Sequence, residues 1–255
     1  MSSPKMNRKN YLLLLMAIFI GSSCVTYNSL PGENTPENQL KEIKKIDLSN
    51  KGLIEIPQMV FNCPNLEILI LFNNKISSIP SEIESLKYLQ RLDLGRNNLT
   101  SIPVEIGELI RIKNLSFLHN NITQIPSGIF PLPTIEDLNL LGNRLVYLPN
   151  NFGEMPKLER LELDYNRLEK LPQSIGDLRQ LNYLSISNNH LDSLPVSIGN
   201  LTRMNYLDLR DAGSVLYIPE SICNLRMLDD LFITGRGFVP ACLRSYMMRF
   251  NKNRQ

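Results

Sequence analysis

The chain has 255 residues, 43 % of them hydrophobic and 20 % charged, which excludes wholesale disorder and a multi-span membrane protein. The 27 lysines and arginines nearly balance 25 acids, net +2, so there is no basic surplus of the kind that holds nucleic acid. The length allows one large domain or two small ones.

In chain order, the first feature is a charged start. Lys5, Arg8 and Lys9 precede the apolar run YLLLLMAIFI of Tyr11–Ile20, and GSSC follows, ending at Cys24. A basic segment, a short apolar run and small residues read as a secretory signal over 1–23. A helix of that run would reach ~15 Å, about half a hydrocarbon core, so a spanning helix is the weaker reading. Met6 offers a second start, MNRKN. The segment IGSSC resembles the lipobox of bacterial lipoproteins, although Gly21 stands where that family usually has leucine. The resemblance implies a diacylated Cys24 as first mature residue and a membrane anchor at a bacterial envelope. Simple secretion and a cytosolic product are the alternatives. The stretch VTYNSLPGENTPENQLK, with two prolines, a glycine and many polar groups, reads as a flexible tether, so 24–41 is expected to be an anchor plus spacer.

From residue 42 the sequence repeats. Leu66, Leu89, Ile112, Ile135, Leu158, Leu181 and Met204 each follow the last by 23 residues. Aligned on them, the units read LEILILFNNKISSIPSEIESLKY, LQRLDLGRNNLTSIPVEIGELIR and so on to LNYLSISNNHLDSLPVSIGNLTR. This resembles the leucine-rich repeat family, in its 23-residue class with the pattern LxxLxLxxNxLxxLPxxIGxLxx. The resemblance implies an α/β solenoid over 42–233: a horseshoe of about nine coils, with a parallel sheet on the concave face and extended or 3₁₀ segments behind.

Each recurring residue type has a physical reason. The first, fourth and sixth positions are inward residues of a short strand. The ninth is asparagine at Asn74, Asn97, Asn120, Asn143, Asn166 and Asn189. Backbone groups buried where the strand turns inward would cost ~1–3 kcal/mol each if unpaired, and an amide can both donate and accept. These asparagines are therefore expected to form a structural ladder joining each coil to the next. Recurrent proline suits an extended or 3₁₀ back segment. The terminal units depart: Lys51 and Ala212 replace asparagine, and one extra residue precedes Pro219. Residues 234–255 read as a cap, with a short helix expected around 242–250.

Candidate chemistry is sparse. Cys63 is expected to be a small core residue. Cys223 and Cys242 lie in the last unit and the cap, and two buried thiols or a disulfide are both open. No zinc spacing, nucleotide loop or GxSxG elbow occurs, and His119 and His190 are too far apart for a shared site. No catalytic residue, metal or cofactor is expected, and the acidic residues Glu162 and Asp164 are expected to be solvated.

The variable strand positions form columns along the concave face. The third runs Lys45, Ile68, Arg91, Asn114, Asp137, Arg160, Tyr183, Tyr206 and Asp230. The fifth runs Asp47, Ile70, Asp93, Ser116, Asn139, Glu162, Ser185, Asp208 and Phe232. Two outward groups stand out: Ile68, Ile70 and Phe72 on one strand, and Tyr165, Tyr183, Tyr206 and Phe232 beside Asp208 and Arg210. Aromatics and arginine dominate protein–protein hot spots, whereas scattered exposed apolars are ordinary. The leading expectation is a monomeric, non-enzymatic protein that binds a protein partner on this face while anchored through Cys24. A cytoplasmic signalling scaffold, similar to Ras-binding or plant resistance-type repeats, is the runner-up. An exported effector similar to bacterial leucine-rich-repeat ubiquitin ligases comes third, because only 234–255 follow the repeats.

Overall fold

A strand of three or four residues cannot bury an apolar face alone, so each coil depends on its neighbours. The computed structural model describes residues 25–27, 35–234 and 238–243. Among them, ten strands form one parallel sheet in sequential order. They are β1 (Val25–Tyr27), β2 (Ile43–Asp47), β3 (Ile68–Ile70), β4 (Arg91–Asp93) and β5 (Asn114–Ser116), then β6 (Asp137–Asn139), β7 (Arg160–Glu162), β8 (Tyr183–Ser185), β9 (Tyr206–Leu209) and β10 (Asp230–Ile233). Register follows the repeat: Ile68 pairs with Arg91, Arg91 with Asn114, Arg160 with Tyr183 and Tyr183 with Tyr206.

Behind the sheet, 3₁₀ segments follow Pro57, Pro80, Pro103, Pro126, Pro172, Pro195 and Pro219, whose φ values of −62° to −75° start the turn without a donor to lose. Pro149 opens no such segment. There Phe152 fills the interior edge-on to Phe130, with ring centroids 5.7 Å apart. Cys63 is buried, and burial pushes its thiol up to about 11.

The asparagines form the expected ladder, reaching back rather than forward. Asn166 Nδ2 donates to Leu163 O of its own coil at 3.0 Å and to Leu140 O of the preceding coil at 2.9 Å. Its Oδ1 accepts from Leu145 N, also of the preceding coil, at 3.0 Å. The other five repeat this geometry. The amide leans N-terminally because those two backbone groups frame it from that side. At Ala212, where the ladder ends, the backbone takes over: Leu191 N donates to Ala212 O at 2.7 Å. That approach needs Gly213, since a Cβ there would sit 1.8 Å from Leu191 O.

One boundary differs from the sequence reading. The span 24–41 is not all tether: β1 pairs with β2, and a helical turn at Glu37–Leu40 (α1) buries Leu40. The physical reason is the open edge of β2, whose backbone groups an extended Val-Thr-Tyr segment can pair. A three-residue strand inside Pro- and Gly-rich sequence leaves no periodicity to read. At the other end, 241–243 are helical, and the rest of the helix expected over 242–250 lies outside the described residues. So do the signal and Cys24.

Cys223 and Cys242 are joined in a disulfide, Cα atoms 5.9 Å apart, and both residues are exposed rather than buried thiols. The bond closes a loop with a sequence separation of 19 and pins the cap to the last coil. Cys223→Ser should therefore cost ~3 kcal/mol of local stability, seen as faster amide exchange in β10 with little change in β4–β7.

Candidate functional site on the sheet face

Constant register turns the third and fifth positions into continuous columns of side chains at ~4.8 Å intervals. In the C-terminal half these columns build a stacked track. The Arg160 guanidinium lies 3.6 Å from the Tyr183 ring centroid. Tyr183 and Tyr206 stack at 4.2 Å and 5°, and Phe232 continues the row at 5.4 Å from Tyr206. Arg210 closes it, 5.0 Å from the Phe232 ring.

Ion pairs fix both arginines. Arg160 Nε donates to Glu162 at 2.9 Å, and Glu162 also accepts from Asn139 Nδ2 at 2.7 Å. Arg210 forks onto Asp208, which is only 2 % exposed and accepts Arg210 Nε at 3.0 Å as well as the Arg210 backbone N–H. Burial, then the neighbouring Tyr183 hydroxyl, pushes the Tyr206 phenol up to about 12. It therefore stays a neutral donor throughout the physiological range.

Tyr165 differs from the other aromatics. It is 60 % exposed and has φ of +54°. The eighth position is left-handed in successive coils: Asn50, Asn73, Arg96, His119, Gly142, Tyr165, Asn188 and Asp211 have φ between 50° and 69°. Asparagine, aspartate and glycine suit that conformation, whereas a bulky tyrosine carries about 1–2 kcal/mol of strain. The repeat imposes that backbone on Arg96 and His119 as well, so what sets Tyr165 apart is its exposed ring.

Tyr165 rims a cleft of about 400 Å³ that Tyr183, Tyr206, Asp164, Asp208 and Arg210 also line. The expected solvated acidic pair is corrected here. Asp164 is 6 % exposed and accepts Ser185 Oγ at 2.6 Å and Ser187 N at 2.8 Å. Glu162 is held by Arg160. Small serines on the next strand let these carboxylates sink into the sheet face, so outward orientation did not mean solvation. Asp164, Ser185, Ser187 and the ring-capping role of Arg160 were missed from sequence. Arg160 was detectable from its place before Tyr183 in the column; Asp164 offered only the run of small residues beside it.

The apolar group lies elsewhere. Ile68, Ile70 and Phe72 are half-buried. A Cβ at Gly95 would touch Phe72 at 3.1 Å and Leu118 at 2.9 Å, so that glycine lets the two side chains close over the sheet. Arg96 lies 5.7 Å from the Phe72 ring. Four strands, or ~19 Å, separate β3 from β7, so the two patches are distinct. Among the described residues no group of three or more metal-ligating side chains converges.

Burial, with Glu162 adding, raises the Asp137 carboxyl above its ordinary value, and Arg160 and Arg91 only offset this. A raised folded value means the folded chain binds that proton more tightly than the unfolded one. Its contribution to stability is thus present at low pH and lost as pH rises through the folded value. Asp137→Asn should raise the melting temperature relative to the parent at pH 7 and have little effect at pH 3.

The leucine-rich repeat family matches residues 41–99, 110–168 and 156–213, most of the chain. This protein belongs to that family. Its open parallel sheet with 3₁₀ segments behind is the family's horseshoe. The repeat chain is similar to the Arabidopsis receptor kinase HAESA, solved with the peptide hormone IDA and the co-receptor SERK1. That match has 29 % identity and a TM-score of 0.67, covering 81 % of this chain and 36 % of HAESA's. It is also similar to the ectodomain of GASSHO1/SCHENGEN3 from Arabidopsis, in complex with CASPARIAN STRIP INTEGRITY FACTOR 2. There the identity is 25 % and the TM-score 0.58, covering 89 % of this chain and 34 % of that one. An internalin from Listeria monocytogenes shares the fold at 22 % identity and TM-score 0.60, over 82 % of this chain and 66 % of its own. This chain thus spans about a third of the length of the plant receptor chains. No curated protein matches it significantly.

Proposed function

We propose that this repeat chain, of the 23-residue LPxxIG class, is a non-enzymatic lipoprotein of a bacterial envelope that binds a protein partner on its sheet face. The observation that carries the binding reading is the stacked track from Arg160 through Tyr183, Tyr206 and Phe232 to Arg210. Core packing does not require it, and it holds aromatic and arginine side chains rigid before any partner arrives, which lowers the entropic cost of association. The similar HAESA chain is solved with a peptide hormone, which supports recognition of a polypeptide.

The exposed disulfide supports export, because such a bond persists in an oxidising compartment and not in a reducing cytosol. It also weighs against the cytoplasmic scaffold. The signal-like start and Cys24 supply the anchor.

Two measurements test the reading. Intact mass of the native protein from fractionated cells should show an acylated species beginning at Cys24 in the membrane fraction; a soluble species retaining the first residues rejects the anchor. A photo-crosslinker placed at Tyr165 should capture a protein that the same group at Val196 does not. Val196 is 66 % exposed in the 3₁₀ segment Val196–Asn200, on the opposite side of the coil. Equal capture from both positions rejects the sheet face as the binding surface.

A further inference from the structure

We propose that the cleft beside Tyr165 seats a cationic side chain, an arginine or lysine of the protein partner, against Asp164. The proposal rests on the protein-binding reading above and specifies its chemistry. Asp164, Asp208 and Asp211 line the cleft against a single cation, Arg210, so the lining carries a net charge of −2 even though Arg210 also feels Asp164. Arg210 is already spent on Asp208. Asp211 lies at the exposed rim and accepts Thr234 Oγ1 at 2.9 Å.

Asp164 is the decisive group. It is more than nine-tenths buried, yet no lysine, arginine or histidine among the described residues forms an ion pair with it. Its Oδ1 takes both hydrogen bonds, from neutral donors, and no described residue donates to Oδ2. Neutral donors stabilise a carboxylate without cancelling its charge, and a desolvated charge of this kind favours a cationic guest over any neutral or anionic one. The aromatic rings sharpen the choice. Tyr183 and Tyr206 spend their facing sides on each other, whereas Tyr165 stands 60 % exposed at the rim. An exposed phenol face beside a buried carboxylate suits a guanidinium or ammonium. Leu141, also in the lining, offers apolar surface to the aliphatic stem of such a residue.

The test uses the folded chain and a glycine peptide with one central arginine, followed by NMR titration of the Tyr165 and Ser187 amides. Lysine- and citrulline-centred peptides are run beside it, since citrulline keeps the shape and loses the charge. The arginine and lysine peptides should bind, and citrulline should bind roughly tenfold or more weakly, the scale of a lost charge-assisted hydrogen bond. Asp164→Asn, which keeps an oxygen for Ser185 and Ser187, should weaken the arginine peptide by a similar factor. Citrulline binding as well as arginine, or Asp164→Asn without effect, overturns the proposal. Should Asp164→Asn fail to fold, Tyr165→Asn carries the test: asparagine suits the left-handed backbone, and binding should fall roughly threefold or more from the lost ring. If the arginine peptide fails while a Tyr165 crosslink still captures a protein, this proposal falls and the broader binding reading stands; failure of both sinks the two together.

Discussion

Asn143→Leu should lower the melting temperature of the repeat chain by roughly 6–12 °C, a large effect for one side chain in a solenoid. Asn143 Nδ2 donates to Phe117 O and Leu140 O, each at 3.0 Å, and Oδ1 accepts Ile122 N at 3.1 Å. Leucine fits the volume but leaves the Ile122 N–H buried without a partner and takes one of two donors from each carbonyl, since Phe117 O keeps Asn120 Nδ2 and Leu140 O keeps Asn166 Nδ2. At ~2 kcal/mol for the orphaned N–H and ~0.5 kcal/mol for each lost second hydrogen bond, the sum is about 3 kcal/mol, and each kcal/mol moves the midpoint by ~2–4 °C in a domain this long. The orphaned N–H belongs to the preceding coil, so the damage should spread N-terminally, with faster amide exchange at Ile122. Asn98→Leu is the control, because Asn98 is exposed and outside the ladder, and it should change stability by no more than ~0.5 kcal/mol. Thermal unfolding followed by circular dichroism decides it. An unchanged midpoint for Asn143→Leu means that water or a backbone shift satisfies those groups and that the ladder is not what joins the coils.

The second large effect concerns binding. Tyr183→Ala combined with Tyr206→Ala should weaken a sheet-face partner by roughly a hundredfold, since a hot-spot aromatic is worth about 2 kcal/mol or more and the two are coupled by their stack. Stability should fall by only ~1–2 kcal/mol, mostly the lost ring–ring contact, because both rings stand on the outer face. The inward residues of the same strands, Leu184 and Leu207, are fully buried and unaltered. Phenylalanine at both positions separates the contributions of ring and hydroxyl: it keeps the stack and removes the donors. Affinity retained by the phenylalanine pair and lost by the alanine pair assigns the binding to the rigid aromatic surface. A crosslinked partner that binds the alanine pair as tightly as the parent removes the track from the interface.

Much of this protein was readable before any coordinates, because a solenoid converts sequence spacing directly into space. The step from Leu66 to Leu89 to Ile112 fixes strand register, and register fixes which outward residues are neighbours. Tyr183 beside Tyr206 and Asp208 beside Phe232 follow from arithmetic on the repeat. The same logic makes Asn166, set among leucines, the partner of buried backbone rather than a stray polar residue in the core.

What spacing could not supply was depth and end chemistry. Asp164 occupies an outward position, yet Ser185 and Ser187 on the adjacent strand are small enough to let its carboxylate sink and be hydrogen-bonded. Whether an outward charge meets water depends on the size of its lateral neighbours, which only packing decides. Val25–Tyr27 becomes a strand because β2 needs an edge partner, a demand made by the sheet and not by the segment itself. The Cys223–Cys242 bond depends on where the cap lands, and the cap lies outside the repeat. By itself, the sequence determined the repeat, its register and the identity of every column, since each coil meets only its neighbours. Tertiary structure alone decided burial on the sheet face and closure at the two ends, because there the contacts come from residues that the period does not relate.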